Sequence, residues 1–311
     1  MITISGLSKS YDGVTVVDDI SLDLPTGSFT VIVGTSGSGK STLLRMVNRL
    51  IEPDGGEIVL DGILWSDIPL TDLRRRIGYV IQDHGLFPHW SVARNIGTVP
   101  RLLGWGKART EARVREVMAL LSLDFDALAA RSPAQLSGGQ AQRVGVARAL
   151  AANPDILLMD EPFGALDPVI RKSAQAELSQ VHRRIGSTIL LVTHDMAEAL
   201  MLADRIAVMD AGRIVQFGTP DEIVARPATP FVRSLIAEGE RAFRHLGLQP
   251  VEPLLTRDTA EGAVFPADGT LADALSDMIW SGRSALPVPP GTDGLPRVIR
   301  LEDVLAAGRA P

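Results

Sequence analysis

The run Gly34-Thr35-Ser36-Gly37-Ser38-Gly39-Lys40-Ser41 stands between a β-like stretch, Ser28 to Gly34, and a helical spacing of Leu43, Leu44, Val47 and Leu50. Glycines at this spacing let consecutive backbone N–H groups curl around phosphate oxygens, and the helix N-terminus adds the positive end of its dipole. The lysine reaches the β and γ phosphates, and the hydroxyl that follows it offers a ligand to Mg2+. Only four of the 31 basic residues are Lys, so a Lys inside a motif carries information that an Arg here does not. A strand, a Gly-rich turn and a helix in that order form the context a phosphate cradle needs, so the bland reading as a Gly-rich turn is disfavoured.

Three further groups have the residue types for the same chemistry. Ile156-Leu-Leu-Met-Asp160-Glu161 is an apolar strand ending in two carboxylates. Taken alone it reads as a buried parallel strand meeting solvent. Beside a phosphate cradle, the carboxyl ends of parallel strands gather at the phosphates, so Asp160 is expected to hold Mg2+ and Glu161 to polarise an attacking water. Leu136-Ser137-Gly138-Gly139-Gln140 precedes a helix and reads either as a Ser N-cap with a Gly pair or as a second anion cradle. One mononucleotide does not need two cradles in one subunit, so the second is expected to serve another subunit's nucleotide. His194 follows the strand-like Thr188 to Thr193, which places it at the edge where Asp160 emerges, while Gln82 follows Ile77 to Ile81 and by itself reads as an ordinary polar residue ending a strand.

The elements that must position these groups follow from the apolar pattern. Residues 1–60 read as short β segments: Met1 to Leu7, Val14 to Leu24, Ser28 to Gly34 and Ile58 to Leu60. From Val92 to Ala152 the spacing is mostly helical with no good strand candidate, the mark of an inserted helical subdomain. Strand runs return at Asp155 to Asp160, Thr188 to Thr193 and Ile206 to Asp210, separated by helices Val169 to Ile185 and Met196 to Ala203. Such alternation gives a parallel sheet with helices on its faces. Periodicity weakens around residue 240, and the tail reads helix Leu271 to Ser281, strand Ala285 to Val288, strand Arg297 to Arg300 and helix Glu302 to Ala307.

Composition bounds the rest. With 311 residues, 45% hydrophobic and 22% charged, the chain is a folded globular protein with core enough to need no staples. A net charge of -6 argues against a nucleic-acid partner bound through a general basic field. Absence of Cys removes thiol nucleophiles and thiolate metal sites. No run approaches the roughly 18 apolar residues of a membrane span, and the start of the chain has no signal-peptide pattern.

In order along residues 1–235, these motifs resemble the ATP-binding-cassette ATPases. The match comprises the P-loop Gly34 to Thr42, a Q-loop at Gln82, the signature Leu136 to Gln140, the strand ending in Asp160 and Glu161, the D-loop Ala165-Leu166-Asp167 and the switch histidine His194. The fold class the resemblance implies is α/β: a P-loop NTPase cassette with an antiparallel β subdomain and an inserted helical subdomain. A small α/β C-terminal module follows it. The implied boundaries are 1–240 for the cassette, about 88–152 for the helical subdomain, and 241–311 for a linker and C-terminal module. In such families two cassettes sandwich two ATPs, so Ser137, Gly138, Gly139 and Gln140 would act in trans, with Asp167 at the shared site. Tyr11 matches the aromatic that stacks on adenine. Thr35, Ser36, Ser38 and Thr42 belong to the cradle, His194 would contact the γ phosphate, and Ser41, Gln82 and Asp160 would surround Mg2+.

One cassette, without fused membrane helices or a long coiled coil, implies an importer's separate ATPase subunit rather than an exporter half or a soluble translation or repair machine. Asp83-His-Gly-Leu-Phe-Pro-His-Trp-Ser-Val92, continuing into Asn95-Ile96 and Val99-Pro-Arg-Leu-Leu-Gly-Trp105, resembles the osmoprotectant branch, importers of glycine betaine, choline, carnitine and related quaternary amines; an amino-acid, polyamine or metal importer is the alternative. In that branch Leu86, Phe87 and Trp90 would form a socket for a permease coupling helix, and Asp83 stands where the family often carries a neutral residue. The implied partners are a second copy of the chain, membrane permease subunits and a separate substrate-binding protein, at the cytoplasmic face of the plasma (inner) membrane. Residues 266–307 resemble a single CBS module, with Arg300 in place of the family's phosphate-contacting Thr and Asp303 retained. Leu271, Leu275, Met278 and Ile279 are expected to seek the same face of a second copy, through an interface carrying Arg297, Arg300, Glu302 and Asp303, and so to regulate the motor.

Overall fold

The computed structural model describes residues 1–82, 85–236, 241–291 and 294–308. β1 (Ile2–Tyr11) and β2 (Val14–Leu24) bury Ile2, Ile4 and Leu7 on one strand and Val17, Ile20, Leu22 and Leu24 on the other. Asp12 and Gly13 join them with φ of 49° and 80°, the backbone a two-residue hairpin turn requires. β1 runs past the expected Leu7 because Lys9 to Tyr11 keep pairing with β2 while burying no side chain, so hydrophobic alternation could not mark them. β3 (Phe29–Val33) is buried at every position and leads into α1 (Lys40–Val47). β4 (Gly55–Leu60) and the short β5 (Ile63–Leu64) complete an antiparallel sheet of order β2-β1-β4-β5.

After α2 (Leu70–Arg76) and β6 (Ile77–Val80) come five helices: α3 (Val92–Ile96), α4 (Thr98–Leu102), α5 (Lys107–Leu120), α6 (Phe125–Leu128) and α7 (Gly138–Leu150). Among residues 88–152, all of them described, there is no strand. β7 (Ile156–Asp160), α8 (Pro168–Ile185), β8 (Thr188–Thr193), α9 (Met196–Leu202), β9 (Arg205–Asp210) and β10 (Arg213–Gly218) follow. The second sheet has the order β10-β9-β3-β8-β7-β6, and its four pairings from β9 to β6 are parallel. Every residue of β3, β7 and β8 is buried, as a parallel sheet covered on both faces demands. Because β8 lies between β3 and β7, the loops leaving the carboxyl ends of these three strands emerge side by side. Phosphate cradle, carboxylates and histidine are carried on those loops.

β10 was not expected from the apolar pattern; all its residues but Gly218 are at least partly exposed, and its signal is the tight turn Ala211-Gly212, with φ of 45° and 84°. The contact pattern divides the chain between Phe217 and Gly218, ahead of the expected boundary at 240, which falls among residues 237–240 outside those described. α10 (Pro220–Ala225) and α11 (Pro230–Leu235) therefore group with the C-terminal unit. There Arg241, at the start of α12 (Arg241–Gly247), donates to the Val224 and Ala225 carbonyls.

The C-terminal unit continues through α13 (Leu271–Ser281), the antiparallel pair β11 (Ala285–Val288) and β12 (Arg297–Arg300), and α14 (Leu301–Ala307). The expectation of an unpartnered apolar face is corrected. Leu271, Leu275 and Met278 are buried within the unit's own core, against Leu246, Val251, Phe265, Val288 and Ile299, and only Ile279 of the four faces outward. Arg297 and Arg300 are also engaged internally, with the Pro289 carbonyl and Asp258. Among the described residues no helix is long and apolar enough to cross a membrane.

Candidate active site

The cradle is built where β3 passes into α1. Gly39, at the helix N-terminus, has φ 101°, and a Cβ there would be driven into the Val16 carbonyl oxygen. Gly37 has φ 81° with open space around its Cα. Both positions hold conformations that L side chains rarely adopt, the kind of backbone from which an anion cradle is made. Val16, Ser36, Gly37, Gly39, Lys40, Ser41, Thr42 and Glu161 line that cleft, about 220 Å³ in volume. The Lys40 ammonium is buried and donates to the Gly34 and Thr35 carbonyls at 2.8 Å each and to Ser38 Oγ at 3.4 Å. Burial pulls its pKa below the ordinary lysine value, with Glu161 and Asp160 pulling the other way. A cation held in this way gains most from an anion that replaces lost water.

Ser41 Oγ donates to Asp160 Oδ1 at 2.8 Å, so the hydroxyl and carboxylate expected at Mg2+ are already joined. Hydroxyl and carboxylate oxygens are the hard donors Mg2+ takes, usually only one or two from protein with phosphate and water completing the shell. Among the described residues no group of three or more His, Cys, Asp or Glu is arranged for a metal. Glu161, one residue on, has φ 44°, and its N–H donates to Val192 O, which turns its carboxylate away from the sheet and into the cleft. His194 Nδ1 lies 3.1 Å from Glu161 Oε2. Two residues that hydrophobic patterning did not single out complete the cluster. Arg45 is 3.7 Å from Asp160 Oδ2, and burial beside Asp160 raises the pKa of Tyr79, opposed by its hydrogen bond to Arg45. Arg45 could have been found as the residue four beyond Ser41, one helical turn along the same face.

The other expected residues are not drawn into that cluster. Gln82 is exposed just past β6, whose Val80 pairs with Met159 of β7, so it sits one strand across from Asp160. Tyr11 pairs with Val14 at the hairpin that carries Val16, and Lys9 Nζ stands 5.5 Å from its ring centre. Ser137 caps α7, accepting from Gln140 N at 3.3 Å while Gln140 Oε1 accepts from Ser137 N at 3.0 Å, a capping box. Gly138 and Gly139 form its first turn beside Leu166 and Ile170. Asp167 caps α8 through the N–H groups of Val169 and Ile170. Ser137 to Gln140 and Asp167 therefore have local structural jobs in this chain and lie outside the cleft around Lys40.

Asp83 lies outside the described residues. Beyond it, Phe87, His89 and Trp90 form an aromatic cluster, with Phe87 and Trp90 ring centres 4.3 Å apart and Arg94 4.3 Å over Trp90. Phe87 is exposed, and Leu86 and Trp90 are half-buried. The loop is shaped from beneath by Asn95, which is wholly buried. Its amide accepts from Phe87 N at 2.7 Å and donates towards the carbonyls of Phe87, Trp90 and Ser91 at 3.1–3.3 Å.

A family model described as ABC transporter matches residues 17–164. Over 289 residues the chain is 52% identical to the glycine betaine uptake system ATP-binding protein YehX of Escherichia coli (strain K12), covering 93% of this chain and 94% of that protein. It is 45% identical over 279 residues to the glycine betaine/carnitine/choline transport ATP-binding protein OpuCA of Bacillus subtilis (strain 168), covering 89% and 72%. Among solved structures, a dimeric bacterial ABC transporter cassette aligns with a TM-score of 0.65 at 33% identity, over 71% of this chain and 99% of that one. A dimeric post-hydrolysis state of an ATP-binding cassette, bound to ADP and Pi, aligns at 0.64 with 32% identity over the same shares.

Proposed function

The chain belongs to the ABC transporter ATPases, whose subunits bind ATP, dimerise and work with membrane permeases, and from that membership we propose that it is the ATP-hydrolysing subunit of an importer for quaternary-amine osmoprotectants such as glycine betaine, choline or carnitine. The likeness to the Escherichia coli glycine betaine protein, which spans nearly the whole of both chains, carries the substrate class. The meeting of Lys40, Ser41, Asp160, Glu161 and His194 at one cleft supports the hydrolysis.

In this reading the N–H groups of Gly37 to Ser41 and the Lys40 ammonium hold the β and γ phosphates, and Tyr11 covers the adenine. Ser41 and Asp160 would hold Mg2+, with Gln82 reaching it from the neighbouring strand; bound there, Mg2+ neutralises charge building on the phosphates. Glu161 accepts a proton from the attacking water, and His194, held by the Glu161 carboxylate, faces the γ phosphate. The γ phosphate of one subunit then meets Ser137, Gly138, Gly139 and Gln140 of a second copy, with Asp167 beside them. Two capped helix N-termini thus face two cradles, and hydrolysis waits on dimer closure.

The exposed Phe87–Trp90 cluster is the proposed seat of a permease helix, with the chain peripheral at the cytoplasmic face of the inner membrane and a separate binding protein delivering substrate. Residues 266–307 are proposed as a CBS-like regulatory module. Co-expression with the permease and binding protein tests the whole. Uptake of labelled glycine betaine or choline that disappears with Glu161→Gln is expected; uptake of amino acids, polyamines or metal ions in place of quaternary amines overturns the substrate class.

A further inference from the structure

His194 is the middle residue of a short turn between β8 and α9, and the residues on its two sides are tied together. Thr193 Oγ1 accepts from Asp195 N at 3.1 Å and donates to Glu198 Oε2 at 2.7 Å. Asp195 Oδ1 in turn accepts from Ala197 N at 2.8 Å and Glu198 N at 3.4 Å, capping α9. Glu198 lies in the first turn of that helix and is 5% exposed, and its Oε1 has no hydrogen-bond partner in the structure. We propose that Glu198 is a positioning residue for hydrolysis: it fixes Thr193, and through Thr193 the turn that sets His194 against Glu161, and charge on its buried carboxyl strains that turn by repulsion from Asp195 and Glu161.

The physical case is one of unmet solvation. A buried carboxylate needs several donors, and Glu198 has the single Thr193 hydroxyl, so the ionised form leaves a charged oxygen bare. Its charged neighbours are Asp195 on its own helix, Glu161 from the end of β7 and Arg171 from α8, which stands 3.9 Å from Asp195. β3 and β8, packed against α9, carry no charged residue. Burial gives the largest push on the Glu198 carboxyl, and with Asp195 and Glu161 it outweighs Thr193 and Arg171, moving it from 4.5 to about 7. Above that pH a third negative charge is added to the side chains that flank His194. Hydrolysis should therefore weaken as pH rises through 7, by a component that belongs to Glu198 alone.

The test rests on the reading of His194 and Glu161 as hydrolytic groups, and its arms separate the two. Steady-state MgATP hydrolysis by the full chain would be followed from pH 6 to 8.5 for the parent, Glu198→Gln and Thr193→Val, with Glu161→Gln as the inactive reference. Gln keeps the shape and the carbonyl that accepts from Thr193 but cannot ionise. The kcat ratio of Glu198→Gln to parent is expected to rise by about three- to ten-fold between pH 6 and 8, centred near 7, with KM for ATP within about two-fold. Thr193→Val, which breaks the link without adding charge, is expected to lower kcat by about ten-fold at every pH with KM unchanged, as misplacement of a reacting group does. An active parent whose pH profile Glu198→Gln reproduces, or a Thr193→Val variant with parental kcat, overturns the positioning role alone. A parent without hydrolysis, prepared with its permease, overturns the hydrolytic reading and this one together.

Discussion

Replacing Glu161 by Gln separates binding from chemistry at this site. The amide has the shape of the carboxylate and the same φ cost, since neither residue is glycine and the backbone is held at 44° by the Val192 and Gly164 hydrogen bonds. What disappears is the proton acceptor. A positioned general base contributes about 10²- to 10⁴-fold, so kcat should fall by that factor, about 2.7–5.5 kcal/mol of activation free energy. Binding should survive, because Lys40 and the Gly37–Ser41 backbone are untouched, and loss of one negative charge beside the phosphates should tighten ATP modestly. Folding should hardly change: the contact with His194, whose side chain is 55% exposed, is of the kind worth less than about 1 kcal/mol. The assay pairs single-turnover hydrolysis with equilibrium ATP titration and light scattering. Parent-like hydrolysis in the variant refutes the assignment; a nucleotide-bound species that stays monomeric counts instead against the two-cassette sandwich, since the dimer should persist when hydrolysis is blocked.

Three other outcomes are expected. Ser137→Arg removes the α7 cap, at about 1 kcal/mol, and places a cation where the second cradle should meet phosphate; in mixed dimers with a Lys40 variant, the two lesions should fall in the same composite site and leave the other active, measured as residual hydrolysis against mixing ratio. Asn95→Leu strands the partly buried Phe87 N–H and three carbonyls of the aromatic loop; about 1–3 kcal/mol of stability should be lost in thermal denaturation, with permease co-purification lost while ATP binding remains. Leu275→Ala opens a cavity in the C-terminal core and should cost that unit about 2–5 kcal/mol in denaturation while leaving MgATP hydrolysis within about two-fold, since every residue at the cleft lies before 200.

Where the chain's chemistry depends on neighbours in sequence, the sequence alone determined it. Gly34 to Ser41 builds its own cradle because strand, turn and helix start are consecutive, and the apolar run before Asp160 announces a buried strand whose carboxyl end must reach solvent. The parallel core and the helical insertion were legible for the same reason: burial on both faces leaves an unbroken apolar run, and a helix leaves a 3.6-residue period. β10 and the far half of β1 were not legible, because they are held by backbone pairing and present few buried side chains to read. The tail's apolar residues showed that α13 has a buried face but could not show what buries it, and the answer is its own hairpin and α12 rather than a second copy. Strand order, set by pairing across the whole sheet, was likewise decided only in three dimensions. It brings Ser41 to Asp160 across 119 positions, Glu161 to His194 across 33, and turns Glu198, one more acid in a helix by sequence, into a buried group beside the turn that carries His194.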